Sequence, residues 1–162
     1  MNTSKKIVLF GELMMRLGTK GVQRILQANE FEIRFTGAEA NVGVSCVNYG
    51  MKGYVVSKVP EGDIGQACLN YLARYGLDTS FVARGGQRLG LLYTETGHSQ
   101  RASKVIYDRS YSSFTELSSA DIDWETVSAQ KGNKTKAAEI LGIGRKTLHR
   151  KLPGWSGEEE ES

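Results

Sequence analysis

The sequence predicts an α/β fold, a largely parallel sheet with a small accessory sheet, followed by a short basic helix-turn-helix. Three observations carry this reading. Short β-branched and aromatic runs alternate with helix-like stretches from residue 5 to 127, as parallel sheets require. More strand-like runs follow the second helix than a simple alternation provides, and these suggest the accessory sheet. Residues 131–152, KGNKTKAAEILGIGRKTLHRKL, then break with everything before them in charge and pattern.

Lys6 to Phe10 (KIVLF), ending at Gly11, suits a buried first strand. Phe31 to Phe35 (FEIRF) alternates apolar and charged residues, as a half-exposed strand does. Gly37 opens a helix-like stretch, AEANVGVSCVNYG, whose small residues permit close packing. Tyr54 to Val59 is a second core strand and Pro60 to Gly65 a loop. Gln66 to Tyr75 reads as a helix closed by Gly76, a residue suited to the position just past a helix end. Phe81 to Ala83, Gly90 to Thr94 and Ser103 to Asp108 are three further strands. No internal repeat is present.

The 162 residues suffice for one ordinary core, and 40% hydrophobic with 24% charged content is normal for a globular protein. The apolar runs are too short to span a bilayer, and no secretory signal is evident, so no membrane association is expected. Cys46 and Cys68 lack metal-ligand spacing and sit beside apolar neighbours, which predicts buried free thiols, no metal site and a cytoplasmic location. The net charge of +3 is unevenly spread. Residues 131–152 carry +6, the tail 153–162 carries −4 through Glu158 to Glu161, and the remainder only +1. A basic block of this density predicts a polyanionic partner.

Within that block, Thr135 to Leu141 places Ala138 and Leu141 on one helical face, and Arg145 to Leu152 places Leu148 and Leu152 on another. Gly142-Ile143-Gly144 is the turn between them, and two short helices so joined match a helix-turn-helix. Leu148 and Leu152 are assigned to packing, and His149 to an outer face. The acidic tail has too few apolar residues to build a core and reads as disordered.

Ligands of open α/β sheets bind at the carboxyl ends of the strands. Gly11-Glu12 lies at the end of the first strand, and Gly37-Ala38-Glu39-Ala40-Asn41 where an extended segment becomes a helix. Glycine there lets a ligand approach the backbone, and free N–H groups at a helix start favour anionic or hydroxyl oxygens. Asn41 both donates and accepts, which suits a vicinal diol.

The segments KIVLFGELMMRL, TGAEANVGVSCVNYG, VPEGDIGQACLNYLARYGLDTSFV and QRASKVIYDRSYSSF, taken in order, resemble the PfkB (ribokinase-like) carbohydrate kinases, most nearly those acting on 2-keto-3-deoxygluconate. The resemblance runs from about Lys5 to Trp124. It implies the N-terminal part of a ribokinase-like Rossmann-type fold with a β-sheet lid over the sugar. It implies a sugar-acid ligand like 2-keto-3-deoxygluconate, met by Gly37, Ala38 and Asn41, with Glu12 at the sugar end of the first strand. Tyr93, Tyr107 and Arg109 would come from the lid strands, although Leu92 aligns with the contacting position as well as Tyr93 does. Arg109 is the natural partner for a carboxylate, since its fork binds both oxygens. Thr36 stands where the family usually has glycine. Asp63 and Gly65 occupy the family's strand-to-helix loop, with a turn role and a ligand role both open. Pairing of two copies through the lid strands is also implied.

The family transfers phosphate from ATP with Mg2+, using a Gly-Ala-Gly-Asp motif whose amides hold the phosphate charge and whose aspartate is the base. Neither that motif nor a Walker A loop occurs in these 162 residues. No catalytic residue and no cofactor are therefore assigned to this chain alone, and unaided phosphotransfer is not expected.

GNKTKAAEILGIGRKTLHRKL is similar to the Fis-type DNA-binding segment of NtrC-like transcription regulators. That resemblance implies a recognition helix over Arg145 to Lys151. Arg145, Lys146, Thr147, Arg150 and Lys151 are the candidates for DNA contacts, with Lys134 and Lys136 on backbone phosphate. The expected organisation is a kinase-like segment at 1–127, the DNA-binding motif at 128–152 and the tail at 153–162. The expected function is a sugar-acid-binding half joined to a DNA-binding motif. The alternatives are a 2-keto-3-deoxygluconate kinase completed by another chain, or a fragment without function.

Overall fold

The computed structural model describes residues 5–128. Eight strands and three helices follow in order: β1 Lys6–Phe10, β2 Met14–Thr19, β3 Phe31–Thr36, α1 Ala38–Asn48, β4 Lys52–Val59, α2 Asp63–Ala73, β5 Leu77–Asp78, β6 Val82–Arg84, β7 Gly90–Glu95, β8 Lys104–Asp108 and α3 Trp124–Ser128. Short 3-10 turns lie at Ile25–Gln27, Ser113–Glu116 and Ser119–Asp121.

The strands form two sheets. In the first, β4 pairs in parallel with β1 on one edge; on the other, β5 lies against Gly53–Tyr54 and β6 against Ser57–Val59. No strand among the described residues pairs with the outer edge of β1. The second sheet runs β3-β2-β7-β8, with β2 and β7 parallel and the outer pairs antiparallel. This is the α/β core with an accessory sheet that the sequence pattern predicts, and the resemblance makes that sheet a lid.

Side chains alternate across β4 and divide the interior in two. Val55 and Val59 point into a cluster with Leu9, Leu13, Ala40, Cys68, Leu72 and Leu77, roofed by α1 and α2. Val56 points the other way, onto Ile122 and Val127, with Phe10, Phe81 and Trp124 around them. Each fully buried valine contributes about 1.5–3 kcal/mol. Between α1 and β1, Gly43 lies against Leu9, so the small residues of that helix do permit its close packing.

Several features depart from the sequence reading, among them β5 and α3, which it did not contain. Strand β2 was not anticipated, because MMRLGT lacks clean alternation; it forms because β3 and β7 flank it and pair with it on both sides. Helix α2 begins at Asp63, inside the expected loop, and ends at Ala73. Gly62 sits extended before it and Gln66 N–H closes the first turn onto the Gly62 carbonyl, with Asp63 favourably placed near the positive helix start.

The last described helix belongs to the α/β body. Asp123 caps it, accepting from Thr126 N–H at 3.1 Å and Thr126 Oγ1 at 2.6 Å, while Val127 is buried under β4. Lys58 secures the preceding turn, donating to both oxygens of Asp121 at 3.1 Å. The expected helix-turn-helix of 131–152, with Lys134, Lys136, Arg145, Lys146, Thr147, Arg150 and Lys151, and the acidic tail lie outside the described residues.

Candidate functional site

Glu12 is the centre of the site. It follows β1, is 5% exposed, and both of its carboxylate oxygens are bonded. Ser112 Oγ donates to Oε1 at 2.7 Å, and Arg109 Nε donates to Oε2 at 2.5 Å. A carboxylate buried this far is tolerated only with such donors in place. Two glycines make room for it. A Cβ on Gly90 of β7 would stand 2.4 Å from Glu12 Oε1, and one on Gly37 would stand 2.5 Å from the Glu12 carbonyl oxygen. A side chain at Gly37 would displace the backbone at Glu12, and one at Gly90 would push the Glu12 carboxylate aside.

The turn carrying Arg109 and Ser112 is itself fastened. Arg88 donates to both carboxylate oxygens of Asp108 at 2.9 and 3.1 Å, to the Asp108 carbonyl and to the Ser110 carbonyl. Ser113 donates back to the Arg88 carbonyl through N–H and hydroxyl. Tyr111 completes the turn at φ 56°, a left-handed conformation uncommon outside glycine and asparagine.

At the start of α1, Gly37 is extended and Ala38 is exposed. The Asn41 amide lies 3.3–3.4 Å from Thr36 Oγ1, so the threonine that replaces the usual family glycine holds the Asn41 side chain. Gly65 is buried in α2 with its Cα against the Pro60 carbonyl, while Asp63 is exposed.

Register separates the lid residues. Leu92 pairs with Tyr107, on the same face as Gly90, whereas Tyr93 pairs with Ile106 on the opposite face. There Tyr93 meets Phe31 edge-on, with ring centres 6.1 Å apart. The structure thus gathers Glu12, Gly37 and Arg109, sets Tyr107 on the same side of the lid, and places Tyr93 away from them. A cleft of about 650 Å³ opens beside Arg109 and Glu12, bordered by Phe10, Phe114, Leu117 and Trp124. Sequence reasoning missed Ser112, Arg88 and Gly90. Only the small polar run SYSS after β8 hinted at the first.

Elsewhere, burial pushes the Cys68 thiol up to about 12, partly offset by the nearby Arg84 charge. Both cysteines are free, Cys68 buried and Cys46 partly so. Among the described residues no three His, Cys, Asp or Glu side chains converge to hold a metal ion. No described helix is long and apolar enough to cross a membrane.

An α/β body with a four-stranded lid sheet is a ribokinase-like architecture. The family model for pfkB family carbohydrate kinases matches residues 4–134, and the chain belongs to that family. A second model, bacterial regulatory protein, Fis family, matches residues 125–153. The 2-dehydro-3-deoxygalactonokinase of Haloferax volcanii is 34% identical over 110 residues, 68% of this chain and 35% of that protein. Among solved structures, the 2-dehydro-3-deoxygluconokinase of Thermotoga maritima superposes with a TM-score of 0.75 at 35% identity, covering 85% of this chain and 48% of that one. A PfkB family carbohydrate kinase from Listeria grayi gives 0.73 at 38% identity, covering 76% and 39%. The chain therefore spans a third to a half of the length of these relatives.

Proposed function

We propose that this chain binds a sugar acid of the 2-keto-3-deoxygluconate type at the Glu12–Arg109 site and couples that body to a DNA-binding motif at 131–152. The observation that carries the ligand class is Arg109. Its Nε is held by Glu12, its side chain is about half exposed, and it borders the open cleft. A guanidinium so placed binds a carboxylate through its two terminal nitrogens. The named substrates of the relatives, deoxy keto-sugar acids, agree with that chemistry. The Fis-family match and the +6 charge of 131–152 support DNA as the second partner. Trp124 of α3 borders the same cleft as Arg109, so ligand and the chain leading toward 131–152 share one wall.

Phosphotransfer by this chain alone is not part of the reading. The test is calorimetric titration of the full chain with 2-keto-3-deoxygluconate, followed by DNA binding across a salt series. Saturable sugar-acid binding supports the proposal, and its absence removes the ligand half. DNA affinity should fall steeply with salt and weaken in Arg145→Ala; a salt-insensitive or undetectable interaction removes the DNA half.

A second reading is favoured by β1, whose outer edge is unpaired by any described strand. A polypeptide supplying the remaining strands would complete a kinase using ATP and Mg2+, as the family does. ATP-dependent phosphorylation of the sugar acid after mixing with such a polypeptide supports this reading. No product at high protein concentration ends it.

A further inference from the structure

From the bond network around Glu12, we infer that Ser112 is a positioning residue for Arg109, acting through Glu12. This rests on the sugar-acid reading for its ligand but not for its geometry. Glu12 has two carboxylate oxygens and the structure engages one with each partner, Ser112 Oγ at 2.7 Å and Arg109 Nε at 2.5 Å. Ser112 is 1% exposed and Glu12 5%, so the bond between them is largely shielded from bulk solvent.

Each Glu12 oxygen already carries one protein donor. The work of Glu12 is to fix the plane of the arginine. With Nε engaged, the two terminal nitrogens make no hydrogen bond among the described residues and form the end-on fork that a carboxylate takes bidentately.

The backbone between the two donors supports the assignment. Ser112 N–H closes a turn onto the Arg109 carbonyl at 3.3 Å, and Tyr111 inside it holds φ at 56° while its side chain is 83% exposed. An exposed tyrosine gains nothing from that conformation. The turn adopts it because it brings the Ser112 hydroxyl back to the carboxylate that Arg109 already holds. Arg88 clamps both flanks, so protein bonds alone fix the relay.

Removing the hydroxyl leaves Glu12 Oε1 buried without a donor, and the carboxylate turns to find another. Arg109 then loses its fixed plane. The experiment is the hydrogen exchange of the Arg109 Nε–H, followed by NMR on the full chain and assigned with Arg109→Lys. It is joined to titrations with 2-keto-3-deoxygluconate and with neutral 3-deoxyfructose, which carries a hydroxymethyl in place of the carboxylate. In Ser112→Ala the exchange should quicken and sugar-acid affinity fall roughly tenfold, the weight of a charge-assisted hydrogen bond, with the neutral sugar unmoved.

Unchanged Nε–H exchange in a folded Ser112→Ala overturns the inference, as does an equal loss for both sugars. Should that variant fail to fold, Glu12→Gln decides: the amide weakens the same bond, and unchanged exchange there overturns the inference too. If the unaltered chain binds neither sugar, the sugar-acid reading falls while the exchange measurement still decides the role of Ser112.

Discussion

Leu92 and Tyr107 stand opposite each other across the β7–β8 ladder, on the lid face that meets Glu12 through Gly90. Tyr93, one residue on, faces the other way and packs on Phe31. Tyr93→Ala should therefore lower stability, by about 1–3 kcal/mol for an aromatic lost from a half-buried face, and leave sugar-acid affinity unchanged. Tyr107→Ala should do the reverse, since Tyr107 is 60% exposed and lies on the site side. Urea denaturation beside calorimetric titration separates the two, and loss of affinity in Tyr93→Ala would contradict the register argument.

The face that carries Tyr93 also shows Ile33 and Ile106, 58% and 39% exposed. Exposed β-branched residues on a flat sheet face suit burial against a second copy. We expect the chain to self-associate through this face and Ile33→Lys to shift it to monomer in sedimentation. A monomer before substitution removes lid pairing.

Asp121 titrates below the ordinary carboxylate range, chiefly because the Ser118 N–H bonds it, with the Lys58 ammonium and Ser118 hydroxyl adding to this. A carboxyl whose folded value is depressed stabilises the fold above its unfolded value. That stabilisation is lost as pH falls below about 4 toward the folded value. Asp121→Asn should flatten the acid limb of the stability curve and leave its slope near neutrality unchanged. Melting temperatures from pH 2 to 7 check this.

Cys68, with its thiol pushed up to about 12, should not react with a disulfide reagent at pH 8 in the folded chain, whereas partly exposed Cys46 should. One thiol released natively and two in denaturant is the expected titration. Because the folded value is raised, Cys68 also makes stability decline as pH rises above about 9, where the unfolded thiol ionises.

Much of the fold was legible in the residues. KIVLF, YVVSKV and the small-residue helix after Gly37 carry their own periodicity and packing requirements, and the structure places them as β1, β4 and α1. β2 was not legible, because its residues lack a local pattern and its pairing comes from β3 and β7. In the site, Arg109 and Glu12 could be singled out from the resemblance. Their direct bond could not, since 97 positions separate them.

The sequence by itself determined the family, the alternation of strand and helix, and the separation of a near-neutral body from a basic block, since local periodicity and charge are written in adjacent residues. Tertiary structure alone decided which lid face meets the site, that Ser112 and Arg109 both bond Glu12, and that Trp124 shares a wall with Arg109. Those depend on strand register and on a turn held by Arg88, where a shift of one residue turns every side chain to the opposite face.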